Sequence, residues 1–204
     1  MSPRARAGIP IVVATIGFSV ALVMRDRLDP WLATGIVAAV SIVASVWALG
    51  RASLRSLLRF EARGAMVAVL LGVGLVIATH VVFRVVSHLL GDHVRSLYIS
   101  IDVDTPRATL MAITLGVVVA EELVWRGAAI AITAGRLTRA GTGVVAVLLY
   151  AIPQIIGGEW ILVLAAMGLG AVFTLQRLAS ERLIEPLVTH AIWSVAIFVA
   201  FPLA

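Results

Sequence analysis

The sequence predicts an all-α, polytopic transmembrane helix bundle of about seven spans, folded as a single membrane domain over residues 1–204. Three observations carry that expectation. The chain is 61% hydrophobic and only 13% charged, the composition of a protein with several long apolar segments. Those segments follow one another, each close to the roughly 20 residues needed to cross a bilayer. Every basic residue is Arg, and the arginines cluster in the polar intervals between the apolar runs.

Taken in order, the expected spans are 8–24, 31–50, 65–86, 108–134, 142–156, 160–176 and 183–203. The first could be read as a signal peptide. It has no clean small-x-small site before Arg25, and more spans follow, so it is expected to remain a helix. Turn-rich or charged separators divide the runs: Arg25-Asp26-Arg27-Leu28-Asp29-Pro30, Asp102-Val103-Asp104-Thr105-Pro106, and Gly157-Gly158. The fifth span is the shortest and carries Pro153 near its end. Residues 8–107 hold helices and loops of low specificity, whereas 108–204 form the core that carries motifs.

The arginines also orient the bundle. With seven spans, Arg4, Arg6, Arg51, Arg55, Arg59, Arg63, Arg136, Arg139, Arg177 and Arg182 fall on one side. Arg25, Arg27, Arg95 and Arg107 fall on the other, diluted by Asp26, Asp29, Asp92, Asp102 and Asp104. The positive-inside rule then predicts a multi-pass protein of the cytoplasmic membrane, N-terminus in the cytoplasm and C-terminus outside. Between Arg51 and Arg63 the arginines recur every four residues, with Leu54, Leu57, Leu58 and Phe60 between them. That pattern fits either an amphipathic helix on an anionic inner leaflet or a plain topogenic loop. The net charge of +5 reads as topology, with no aromatic-basic surface for nucleic acid. Cysteine is absent, which removes disulfides and thiolate nucleophiles.

Within the fourth span sits Glu121-Glu122-Leu123-Val124-Trp125-Arg126. An ionised side chain at the bilayer centre costs about 3 kcal/mol on insertion scales, so three in one span need a reason. Glu122 and Arg126, four apart, can pair on one helix face; Glu121 is left over. Later spans add Tyr150 with Gln154, and His190 with Ser194, each pair four apart. Counting rise from the expected cytoplasmic ends puts Glu121 roughly 19 Å deep, Gln154 roughly 18 Å and Ser194 roughly 16 Å. Arg126 and His190 come out at roughly 12 and 10 Å. Desolvation competing with Arg126 can poise Glu121 as a general base for water. His190 and Ser194 are candidate oxyanion donors, and the set as a whole suits amide hydrolysis. There is no His-Glu-x-x-His zinc helix, no Gly-x-Ser-Gly serine motif, no intramembrane aspartyl pair and no phosphate loop.

Glu121-Glu122-x-x-x-Arg126, an aromatic-x-x-x-polar pair and His190-x-x-x-Ser194 together resemble the CPBP family. These are the CAAX-protease and bacteriocin-processing (Abi) intramembrane endopeptidases. The resemblance runs from Thr109 to the C-terminus and includes the stretch from Ala171 to Trp193, similar to the family's final helix pair. It implies that Glu121 activates water, that Glu122 and Arg126 form an orienting pair, and that His190 is an oxyanion donor. Gln154 stands where the family has histidine, so it can hold the water but cannot take up its proton. Ser194 stands where asparagine is common. Metal dependence needs histidine ligands, and only Glu121, Glu122 and His190 remain, so no cofactor is expected and zinc is disfavoured.

The resemblance therefore implies a bacterial intramembrane endopeptidase cutting near a membrane-anchored tail or leader. The expected partners are a membrane-anchored peptide or protein and the lipid bilayer. The alternative is a non-catalytic relative with a binding or immunity role, suggested by Gln154. A small transporter is disfavoured by the lack of an inverted repeat or broken-helix pair.

Overall fold

The computed structural model describes residues 3–101 and 105–203. Among them are seven helices and no strand. They are α1 (Pro3–Val23), α2 (Pro30–Leu57), α3 (Ala62–Ile101), α4 (Arg107–Thr133), α5 (Arg139–Gly157), α6 (Trp160–Ser180) and α7 (Ile184–Ala200). The first six are long and apolar enough to cross a membrane, and α7 is shorter. The chain is a multi-pass membrane helix bundle.

Local chemistry sets the helix ends. The Asp29 carboxylate accepts the Trp31 and Leu32 N–H groups at 2.9 Å, with Pro30 in the first turn, and so starts α2. Thr138 accepts the Gly141 N–H at 3.1 Å and starts α5. Gly158, at φ +76°, ends it in the left-handed conformation that glycine adopts without strain. Pro153 is buried inside α5 without stopping it.

The centre of the bundle is α4. It touches α1, α2, α5, α6 and α7, while α3 leans on α7. Phe18 of α1, Val124 and Trp125 of α4, Tyr150 of α5 and Ala166 of α6 form the main core. Exposed apolar side chains such as Val43, Val85 and Leu89 cover the outer faces, as a lipid-facing surface requires. At one end of the bundle Arg25 meets Gly157 and Glu159. At the other, Arg4 reaches the Ala134 carbonyl, the Leu183 N–H donates to Leu57, and Arg182 pairs with Glu61 and Glu185.

Two expectations are corrected and one open alternative is resolved. The span expected at 65–86 is part of a 40-residue helix that continues to Ile101. Leu90, Val94 and Leu97 keep a helical spacing past the polar residues, and Val94 is buried. The segment 51–63, read as either an amphipathic helix or a plain loop, is part helix and part loop. Gly50, at φ +75° and ψ 157°, breaks α2, residues 51–57 form a short turn of helix, and Arg63 belongs to α3. The seventh helix is 184–200 instead of 183–203 and does not start at the bundle surface. Leu183 is fully buried and packs with Leu54 and Leu123. The separator expected at 102–106 is described only from Thr105 onward; Asp102, Val103 and Asp104 lie outside the described residues.

Candidate active site in the membrane interior

The charged stretch of α4 is not plain α-helix. Residues Glu122–Ala128 form a π-helical segment, all seven of them buried. Such segments widen the turn and recur at functional sites. The Arg126 carbonyl within it accepts a hydrogen bond from Arg177 Nε of α6 at 3.2 Å, which satisfies a backbone group inside the membrane.

The expected pair of Glu122 and Arg126 is present. Arg126 Nη1 donates to Glu122 Oε1 at 3.2 Å, and both side chains are 0% exposed. Arg126 Nη2 donates to the Gly170 carbonyl at 3.2 Å. The guanidinium lies 4.5 Å from the Tyr150 ring centre and 5.4 Å from that of Phe173. Gly170 leaves the room for this: a Cβ there would come within 2.8 Å of the Tyr150 ring and 3.4 Å of Arg126 Nη2.

His190 joins the two glutamates. Its Nδ1 lies 2.8 Å from Glu122 Oε1 and its Nε2 lies 3.6 Å from Glu121 Oε2. Since a carboxylate oxygen accepts, the Nδ1 contact has the imidazole donating to Glu122 Oε1, which leaves Nε2 turned toward Glu121. Phe173 stacks on the imidazole at 4.4 Å between ring centres. Neighbouring α7 bonds hold the helix in place: Thr189 Oγ1 donates to the Ala68 carbonyl, Gln176 donates to Thr189, and Trp193 Nε1 donates to Thr79. Counting depth from the expected helix ends separated Glu121 from His190 by more than a turn. The buried start of α7 at Leu183 explains why they meet instead.

Glu121 and Glu122, adjacent in sequence, have different surroundings. Glu122 is enclosed, while Glu121 lines a cavity of about 210 Å³. The Tyr150 hydroxyl donates to Glu121 Oε2 at 3.2 Å. Gln154, His190 and Ser194 line the same cavity, whose walls are otherwise largely apolar. The cavity extends toward the end of the bundle where Arg25 and Glu159 lie. Of the expected site residues, Glu121, Glu122, Arg126 and His190 form one connected cluster. Gln154 and Ser194 face the cavity without a hydrogen bond to that cluster.

The position that touches Glu121 from α5 is Tyr150, not Gln154. Tyr150 was visible in the sequence only as the aromatic partner of Gln154. Phe173 and the Gly170 carbonyl carried no polar signal at all. As ligands for a metal the residues fit poorly. Among the described residues no group of three or more His, Cys, Asp or Glu side chains is arranged to hold an ion, because Glu122 is committed to Arg126 and His190.

Residues 104–196 match the family model described as Type II CAAX prenyl endopeptidase Rce1-like. Over that stretch the chain is similar to the Rce1-like members of the CPBP family. The Rce1-like region covers α4 to most of α7 and includes every residue of the cluster and of the cavity pair Gln154 and Ser194. It leaves out α1 to α3. The Rce1-like family is one of proteases, CAAX-protease-like intramembrane endopeptidases. No curated protein and no solved structure matches the chain.

Proposed function

We propose that this chain is an intramembrane endopeptidase in which Glu121 activates water to hydrolyse a peptide bond near a membrane-anchored tail or leader. The observation that carries the reading is the division between the two glutamates. Glu122 is used up by Arg126 and His190, whereas Glu121 presents its carboxylate to a cavity. A carboxylate kept in an apolar span needs such a use.

In this reading Gln154 positions a water beside Glu121. Glu121 removes its proton as the water oxygen attacks the carbonyl carbon. The proton passes to His190 Nε2 across the 3.6 Å contact. The imidazolium so formed is held by Glu122 and becomes a donor. It stabilises the oxyanion together with the Ser194 hydroxyl, then returns the proton to the departing amine. No step runs through a metal, and no cofactor is proposed. The chain sits in the cytoplasmic membrane, N-terminus inside, with the cavity opening toward the outer face.

A second reading, a non-catalytic relative with a binding or immunity role, rests on Gln154 replacing the family histidine. The test is cleavage of membrane-anchored candidate substrates by the full chain in membranes. Glu121→Gln should abolish the cut while the protein stays folded, since the change is nearly isosteric. A biological effect unchanged in that variant, with the protein present in the membrane, would remove the enzyme reading.

A further inference from the structure

Threonine in a helix ordinarily returns its hydroxyl to the carbonyl one turn back. Thr34, Thr79 and Thr133 do so, bonding Pro30, Leu75 and Ala129 at 2.7, 2.8 and 2.9 Å. Thr114 of α4 does not. Its Oγ1 is buried and has no hydrogen-bond partner, in a residue only 4% exposed. Other orphaned hydroxyls, such as those of Ser41, Ser45 and Thr174, lie away from the cavity. Among the described residues the only buried side-chain atoms that lack a partner and belong to cavity-lining residues are Thr114 Oγ1 and Gln154 Oε1.

Their positions are ordered. Thr114 precedes Glu121 by seven residues, two turns along the same face of α4 and about 10 Å nearer the cavity mouth. Gln154 follows Tyr150 by one turn on α5, about 6 Å nearer the mouth. An extended peptide advances about 3.3 Å per residue, so Thr114 is about three residues from a bond held at Glu121. The intervening wall is aliphatic, with Val117, Val118, Leu162 and Ala166. An unpaired hydroxyl in such a wall is costly unless a ligand satisfies it.

We infer that Thr114 is a substrate-positioning residue: its hydroxyl bonds a backbone group of an extended, aliphatic peptide segment, about three residues toward the cavity mouth from the scissile bond. The inference rests on the peptidase reading and adds to it a residue that binds without touching the reacting atoms.

The experiment uses the full chain in lipid nanodiscs and a palmitoylated Ala/Val-rich decapeptide carrying a benzophenone. Photo-crosslinking is titrated in the Glu121→Gln background, where bound peptide is not consumed. Adding Thr114→Val should raise the half-saturating concentration about tenfold, the effect of one lost buried hydrogen bond. Thr114→Ser should restore it, and Thr114→Ala, which needs no branched rotamer, should repeat the loss. In the Glu121 background the change should appear in KM, with kcat held. An unchanged half-saturation in both hydroxyl-deleted variants, or no saturable crosslinking at all, overturns the inference. Saturable, Thr114-dependent binding with no cleavage by the unaltered chain would sink the peptidase reading and leave this binding site standing. Cleavage that ignores Thr114 would do the reverse.

Discussion

Removing the guanidinium of Arg126 is the perturbation with the largest expected effect on stability. The side chain is wholly enclosed, bonded to Glu122 and to the Gly170 carbonyl, and sandwiched near Tyr150 and Phe173. Arg126→Ala strands the Glu122 carboxylate, whose Oε2 already lacks a partner. Breaking a buried pair from one side costs about 3–5 kcal/mol. His190 Nδ1 stays on Glu122 Oε1, so the lower end applies. At about 2–4 °C per kcal/mol for a chain of this size, 3 kcal/mol lowers the unfolding midpoint by roughly 6–12 °C. Loss of the monodisperse species on heating in detergent reads this directly. The double variant Glu122→Gln with Arg126→Met leaves no stranded charge and should regain much of the loss. A wild-type midpoint for Arg126→Ala, or a double variant that is simply the sum of two losses, would show that the pair does not hold the bundle together.

Tyr150→Phe removes the one hydroxyl bonded to Glu121 and nothing from the core; turnover should fall severalfold with the melting midpoint nearly unchanged, as measured by initial rates and thermal unfolding on the same preparation. Gly170→Val presses a branched side chain onto Tyr150 and Arg126 and should cost about 1–3 kcal/mol, visible as a lower midpoint and lost cleavage. Gln154→His should preserve cleavage, because imidazole can both hold the water and share its proton. Reporters fused after Arg55 and after His93 should read cytoplasmic and external respectively; the opposite pattern would invert the placement of the cavity mouth.

The number of helices and the partnership of Glu122 with Arg126 were legible because apolar run length and i, i+4 spacing are local quantities. The meeting of His190 with Glu121 was not legible, because depths counted from the expected helix ends put the two more than a turn apart. Its geometry depends on Leu183 being buried against Leu123, a long-range contact with no periodic signature. The extension of α3 to Ile101 hid behind Ser87, His88, Asp92 and His93, whose polarity reads as a loop even though Leu90, Val94 and Leu97 keep a helical face. The break at Gly50 required a positive φ that a lone glycine before an arginine run does not announce. Thr114 escaped notice because a threonine in a helix reads as self-satisfied until its hydroxyl is seen without a partner.

The π-helical stretch at Glu122–Ala128 has a consequence for helical phase. Each turn there closes on the fifth residue instead of the fourth, so α4 after Ala128 is indexed one residue apart from α4 before Glu121. A helical wheel drawn through the whole span therefore misplaces one half by about 100°. The residues that face α2 and α7 ahead of the glutamates, and those that face α1 behind Arg126, follow two separate registers. Closing this stretch as ordinary α-helix with every residue kept would rotate one half against the other by more than a quarter turn, whereas deleting a single residue between 122 and 128 would keep the halves in phase and lose the widened turn itself. The spacing of this stretch thus constrains the site as strictly as the identity of its side chains.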